Sequence, residues 1–535
     1  MTFLPKNLEN NFVTPMLTDL YQITMVCSYW QQGMHDSHSV FDLFYRKNPF
    51  HGTFALFAGL DSILEFLKTF SFTDEDIEYL TTVLPHMPTE FFQWLRALDT
   101  SQVKVYAINQ GTFVFPSLPL LRIEGPLAIC QLLETTLLNL VNFSTLIATN
   151  AARFRLAAGE KANLLEFGLR RAQGPDGAMS ASKYAHLGGF NATSNVLAGM
   201  NYGIPIKGTH AHAYVQSFSC LNDVNPILTL KDGTTVNFVN IVTKVRSSFP
   251  AAFSRTNEGE LAAFCAYAVT FPHAFLALVD TYDTLNSGVL NFIVVAKALL
   301  KCGYFPVGIR LDSGDLSSLS LAARSLISKY FEAEEAQKIS IVASNDISES
   351  VLKHLNNVGH SVDVFGIGTM LVTCYSQAAL GGVFKLVELG GTAKIKISDS
   401  LEKSTLPGRK GIYRLWIDSC PHPICDYLTL ADEEAPKVGE YVLVRHPHNL
   451  KFSRGIIPTR VEPLLNLVFD QGACNEKSQS LAVSRDRVVS NYHGFDSDFL
   501  KADAKDHHYL VGVSENLYRL LHELLERDLY VPTLS

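Results

Sequence analysis

The sequence predicts an α/β protein whose central part is a (β/α) barrel, irregular or incomplete. Three observations carry this. Between about residues 160 and 375, short apolar runs rich in β-branched residues each end in polar or glycine residues, and a helix-patterned segment follows. The last four run ends recur roughly every 25 to 30 residues, the length of one βα unit. The runs do not alternate apolar with polar, which marks strands of a parallel sheet covered on both faces.

Taken in order, the runs are ANLLEFG, GIPIKGTH, AFLALVDTYD, FPVGIRLDSGD, ISIVASNDIS and VDVFGIGT. A helix, SSLSLAARSLISKYF, follows the LDSGD end, and Ser348 opens another that Gly359 stops. In a barrel the carboxyl ends of the strands face the active site. That rule gathers Glu166, Thr209, His212, Asp280, Arg310, Asp312, Asp315, Asn345 and Thr369 at one mouth.

Outside the barrel the pattern changes. The first 150 or so residues mix helical segments with short strands such as HSVFDLFYR and VKVYAI. There Thr14 is placed to cap a helix with Pro15 at its first position, aligning Leu17, Tyr21 and Thr24 on one face. From about Gly390 the chain loosens into charged, Pro- and Gly-bearing turns (SDSLEKSTLPGRKG), read as a flexible lid before a smaller appended region. The final helix is SENLYRLLHELLERDL.

Composition narrows the function. With 535 residues, 47% hydrophobic and 18% charged, the chain is a multi-domain globular protein. A net charge of −8 and the lack of a basic tract argue against nucleic acid as a partner. The apolar stretches Leu132 to Ile147 and Val289 to Leu300 carry Glu134, Asn139, Asn142 or Asn291, so they read as buried helices and not membrane spans. The opening MTFLPKNLENNF lacks the pattern of a secretory signal. Nine scattered cysteines fit reduced thiols of a cytoplasmic enzyme better than a disulfide framework. The close pair Cys420 and Cys425 in CPHPIC, with His422, lacks a second ligand pair and reads as a Pro-rich loop.

Several motifs carry chemistry. In VDVFGIGTML a strand running into Gly366-x-Gly368-Thr369 exposes backbone amides to an anion, and phosphate often binds at such late barrel loops. RLDSGDL joins Arg310 to Asp312 and Asp315, while LVDTYD adds Asp280 and Asp283. Clustered acids suit a hydrated Mg²⁺ or a polyol, although helix capping explains each acid separately. Phe167, Arg170 and Arg171 after Glu166 suit a planar or phosphorylated anion. GTHAH, with His210 and His212, is open to three readings: metal clamp, phosphate-handling loop or surface imidazoles. Together these describe a barrel enzyme that handles a phosphorylated small molecule with Mg²⁺.

TPMLTDLYQITM, LLEFGLRRAQGPDGAMSASKYAHLGGFNATSNVLAG, GIPIKGTHAHAYV, VGIRLDSGDL, VDVFGIGTML and TLPGRKGIYRL, in that order, closely resemble the nicotinate phosphoribosyltransferase family. The resemblance implies an irregular, incomplete (β/α) barrel over 151–390, joined to an α/β sandwich over 1–150 that later segments complete. A lid segment and a smaller C-terminal extension occupy 391–535. It implies a cytoplasmic homodimer with interfacial active sites. It implies that nicotinate, phosphoribosyl pyrophosphate, ATP and water give nicotinate mononucleotide, pyrophosphate, ADP and phosphate, a C–N bond-forming ligase step that begins NAD synthesis from nicotinic acid. Mg²⁺, or Mn²⁺ in its place, would assist.

By the same resemblance His212 is the transiently phosphorylated histidine and His210 stands at a variable position. Thr209 and Arg310 contact nicotinate, whose ring lies between Phe167 and a Tyr21 from the partner subunit. Arg170, Asp312, Gly366, Gly368 and Thr369 bind phosphoribosyl pyrophosphate. Asp280 and Asp312 are catalytic, with Asp280 a metal ligand. Ala213 stands where the family commonly has serine, so the source of a hydroxyl beside His212 is open. Two rivals remain: the sister reaction on nicotinamide, which would benefit from a carboxylate beside Thr209, and a metal-dependent barrel hydrolase, which would need further strand-end histidines.

Overall fold

The computed structural model describes residues 12–398, 404–449, 451–474, 480–503 and 509–528. The chain forms two units: residues 1–152, 187–189 and 376–535, and residues 153–186 and 190–375. The α/β class expected from the sequence holds.

The second unit is built on a parallel six-stranded sheet. Its order is Leu276–Leu278, Gly308–Leu311, Ser340–Ser344, Val364–Ile367, Asn163–Glu166, Ala192–Thr193. Five of the six expected runs are strands there. GIPIKGTH contributes a single parallel bridge, Ile206 to Thr193, because its glycines and proline interrupt a ladder. Helices Val289–Lys301, Leu316–Tyr330 and Glu349–Val358 follow three of the strands. Ser348 caps the last of these through Val351 N–H, and Gly359 ends it at φ 87°, a left-handed conformation that glycine adopts without strain. The stretch Thr284–Lys301 is long and apolar enough to cross a membrane by length and composition alone, yet most of it is buried. Its Asn291 donates to the Glu260 carboxylate at 2.9 Å.

In the first unit, His38–Tyr45 pairs antiparallel with Leu121–Pro126 and with Gly382–Leu389, and Lys104–Ala107 pairs with Asn466–Asp470. Segments before 150 and after 376 thus share one seven-stranded sheet. A second sheet orders Ser453–Ile456, Val442–Arg445, Leu510–Val513, Cys420–Leu430, Lys410–Ile417 and Arg460–Pro463.

Two expectations are corrected here. CPHPIC is not a loop: it begins the strand Cys420–Leu430. Its prolines precede the parallel pairing with Leu510 that starts at Cys425, where a missing N–H costs nothing. The first helix does not start at Thr14. Thr14 Oγ1 accepts from Met16 N–H in a turn, and the helix Leu20–Gln31 begins after Asp19, whose N–H donates to Gln22 Oε1 at 3.0 Å. Leu17 is therefore outside it, and Tyr21 is 47% exposed. Of the expected lid, residues 399–403 lie outside the described residues, as do residues 1–11 of the expected signal-free start and Leu529 at the end of the final helix, which is described as Glu515–Asp528.

Candidate active site

Parallel register assembles the mouth. Leu278 pairs with Arg310, and Leu311 with Ala343. Continuing past the strand ends sets Asp280 beside Asp312 and Asp312 beside Ser344. Asp280 Oδ2 accepts from the Asp312 N–H at 3.1 Å and from the Ser313 hydroxyl. Asp312 Oδ1 accepts from the Ser344 hydroxyl. Each carboxylate thus anchors one oxygen in the fold and turns the other toward one imidazole. His212 Nε2 lies 3.6 Å from Asp312 Oδ2 and 3.9 Å from Asp280 Oδ1. The Asp280 side chain is 1% exposed, and its Oδ1 has no hydrogen-bond partner.

The other side of the ring is held by a residue that motif reading passed over. Thr281 Oγ1 is 3.0 Å from His212 Nδ1. The hydroxyl left open by Ala213 thus comes from the strand-end loop carrying Asp280. His212 opens the short helix His212–Gln216 and its side chain is 40% exposed, so the ring is reachable from solvent.

The remaining acids sort by geometry. Asp315 caps the helix Leu316–Tyr330 through Ser318 N–H, and this bond and the Ser318 hydroxyl hold its carboxyl below the usual range. Asp283 caps the turn Thr284–Gly288, and bonds from Asn286 lower it likewise. For these two, the capping account is the whole account. Glu166 is buried and accepts from Gly168 N–H, Ser182 and Thr193, which makes it a support for the strand end. Glu260, unnoticed in the sequence, is fully buried beneath this region, hydrogen-bonded by Ser287 and Asn291. Burial, with Asp283 and Asp280 nearby, pushes its carboxyl up to about 7.

Arg310 is turned by its neighbours: its Nη2 donates to the His210 carbonyl at 2.9 Å, while its Nε is buried without a partner. Burial lowers its pKa against the opposing pull of Asp312 and Asp280, and Arg170 lowers it further; a guanidinium stays charged throughout. Thr209, next to His210 in sequence, is half-buried, its hydroxyl turned to the His210 carbonyl at 3.3 Å. Arg170 is exposed in the turn Leu169–Arg171.

The glycines of VDVFGIGTML have separate reasons. A Cβ on Gly366 would meet the Phe167 ring at 2.5 Å, so the bare strand end is where that ring packs. A Cβ on Gly368 would lie 3.1 Å from the Phe167 carbonyl. Thr369 begins the short helix Thr369–Val372 directly after. Tyr21 belongs to the other unit, on Leu20–Gln31; burial and Glu134 raise its phenol. Asn345 and Asp346, after Ser344, hold φ of 143° and 42°, a conformation that non-glycine residues adopt only where their surroundings enforce it.

This chain is matched by the nicotinate phosphoribosyltransferase N-terminal domain over residues 16–142, by the nicotinate phosphoribosyltransferase family over 162–415 and by its C-terminal domain over 409–521. It is 48% identical to nicotinate phosphoribosyltransferase 1 of Arabidopsis thaliana over 96% of this chain and 94% of that one. The chain belongs to the nicotinate phosphoribosyltransferase family. The human nicotinate phosphoribosyltransferase is 44% identical over 95% of this chain and 96% of its own. The crystal structure of human nicotinic acid phosphoribosyltransferase superposes with a TM-score of 0.84 at 41% identity, covering 95% of this chain and 99% of that one. The protein is thus an enzyme of this family, and every strand-end group described above lies within the span matched by the nicotinate phosphoribosyltransferase family.

Proposed function

We propose that this enzyme couples ATP hydrolysis to phosphoribosyl transfer onto nicotinate through a phosphorylated His212. The observation that carries the reading is the setting of His212: two carboxylates at Nε2, a hydroxyl at Nδ1 and an open face. A neutral imidazole has one N–H and one lone pair. The carboxylates favour the proton on Nε2, which leaves the Nδ1 lone pair to attack the ATP γ-phosphorus while ADP departs. The phosphoryl group then passes to water, and the ring returns to its resting form.

Transfer itself breaks the anomeric C–O bond of phosphoribosyl pyrophosphate and forms a bond to the pyridine nitrogen, with pyrophosphate leaving. The anomeric carbon gains positive charge in this step, which the Asp280 and Asp312 carboxylates are placed to stabilise. Arg310 and Thr209 hold the nicotinate carboxylate; Phe167 on one side and Tyr21 of a second copy on the other would sandwich its ring. Arg170 with the Gly366, Gly368 and Thr369 loop receives the ribose phosphate. Asp280 Oδ1, which has no hydrogen-bond partner, and Asp312 Oδ2, which faces His212, fit the one or two carboxylates that Mg²⁺ uses beside waters and substrate phosphates. When bound there, Mg²⁺ or Mn²⁺ supplies charge neutralisation for the phosphates. We further place the enzyme in the cytoplasm as a homodimer; nine free cysteines support a reducing compartment.

Turnover with nicotinate and with nicotinamide, each with and without ATP, tests this. Nicotinate should be favoured by at least about tenfold in kcat/KM, since loss of a charged hydrogen-bond partner for Arg310 is worth roughly 1.5–3 kcal/mol. ATP should raise its turnover. Preference for the amide, or indifference to ATP, would contradict the assignment.

A further inference from the structure

We propose that His210 is a positioning residue that sets Arg310 and His212 by closing the open edge of the parallel sheet. The inference rests on the substrate roles given to those two residues above. The strand Leu276–Leu278 pairs on one side only, with Gly308–Leu311. Val279 N–H, one residue further along, donates to the Arg310 carbonyl at 3.1 Å. Because successive N–H groups of a strand point to opposite sides, Leu278 N–H faces the unpaired edge. Its partner is a side chain: His210 Nε2, at 3.4 Å.

The segment bearing His210 comes from the sheet's other edge. Thr193 N–H donates to the Pro205 carbonyl and Lys207 N–H to the Thr193 carbonyl, both at 3.0 Å. Residues 205 to 210 therefore run from one edge strand to the other, and the imidazole makes the final link where a backbone ladder is missing. The ring is held in place. The residue is 8% exposed, with Tyr267 edge-on at 4.8 Å and Tyr214 at 5.3 Å. Burial, with Arg310 and His212 close by, lowers its pKa to about 4, so its lone pair is available at neutral pH.

What the link positions is chemical. The His210 carbonyl receives Arg310 Nη2, and His212 follows two residues on. Loss of the Nε2 acceptor would free both from the strand whose following loop carries Asp280 and Thr281. A ring without an acceptor would fill the same space but leave Leu278 N–H bare; a glutamine amide oxygen reaches about as far as Nε2 and restores the bond.

The test compares His210→Phe, His210→Leu and His210→Gln by steady-state kinetics, with thermal unfolding alongside. The expected result is a rise of about tenfold in the KM for nicotinate, with reduced preference over nicotinamide, in the folded Phe or Leu variant. His210→Gln should recover most of it. Three results would overturn the inference: unchanged nicotinate KM in a folded apolar variant, losses in Gln equal to those in Phe, or failure of both apolar variants to fold while Gln retains wild-type stability. A wild-type enzyme that does not turn over nicotinate would instead overturn the site assignment beneath it.

Discussion

A His212→Ala enzyme should hold no phosphoryl group and lose all stimulation by ATP, while its unit remains folded. The side chain is 40% exposed and its partners are a threonine hydroxyl and two carboxylates already anchored by backbone and serine groups, so removal leaves no unsupported core. The functional loss is large because the ring is the only proposed phosphoryl acceptor. In the proposed mechanism, phosphorylation adds charge at the strand ends that also carry the substrate-binding residues, which would couple ATP hydrolysis to substrate affinity. Couplings of this kind are commonly worth roughly 5- to 150-fold. Steady-state assays should therefore show KM values for nicotinate and phosphoribosyl pyrophosphate that ATP no longer lowers, with residual ATP-independent transfer. Full ATP-stimulated turnover in the variant would remove His212 from the mechanism.

The largest stability effect is expected in the first unit. Arg414 and Asp426 are 4% and 0% exposed and joined by two bonds, Nε to Oδ1 at 2.7 Å and Nη2 to Oδ2 at 2.8 Å. Burial alone would weaken the guanidinium's hold on its proton, but Asp426 and Tyr509 raise its pKa above the ordinary value. Tyr509 donates to Asp426 Oδ1 at 3.0 Å, and Arg414 Nη2 also reaches the Phe113 carbonyl. Arg414→Met would strand a carboxylate in a dry interior, at about 3–5 kcal/mol. Arg414→Met with Asp426→Leu should recover part of the loss, because no unpaired charge remains. Thermal or urea unfolding reads both. A single variant as stable as wild type would show that water enters this core.

Much of this was legible in the sequence, and for identifiable reasons. Carboxyl ends of parallel strands announce themselves locally, so Thr209, His212, Asp280, Arg310 and Asp312 could be gathered from the sequence alone. The acids could not be sorted that way, because Asp283 and Asp315 have the same local pattern as Asp280 and Asp312; only the hydrogen bonds separate caps from the pair facing His212. Thr281 and Ser344 were illegible for a different reason. Their importance lies in contacts between segments some thirty or more residues apart in sequence, and a lone hydroxyl carries no local signature. His210 looked incidental because its function is to satisfy a distant backbone N–H, a need that appears only once the sheet edge is known. Gly366 was noticed for an anion loop, whereas its immediate physical reason is the Phe167 ring. Thr14 and Pro15 carried a good helix-start pattern that lost to the Asp19 and Gln22 pair five residues later.

The most direct test is to follow the phosphoryl group itself. Enzyme incubated with ATP labelled in the γ-phosphate should take up label that is stable to base, labile to acid and located by peptide mapping at His212. Addition of nicotinate and phosphoribosyl pyrophosphate should chase it into inorganic phosphate as nicotinate mononucleotide forms. Label at another residue, or undiminished labelling of His212→Ala, would contradict the account.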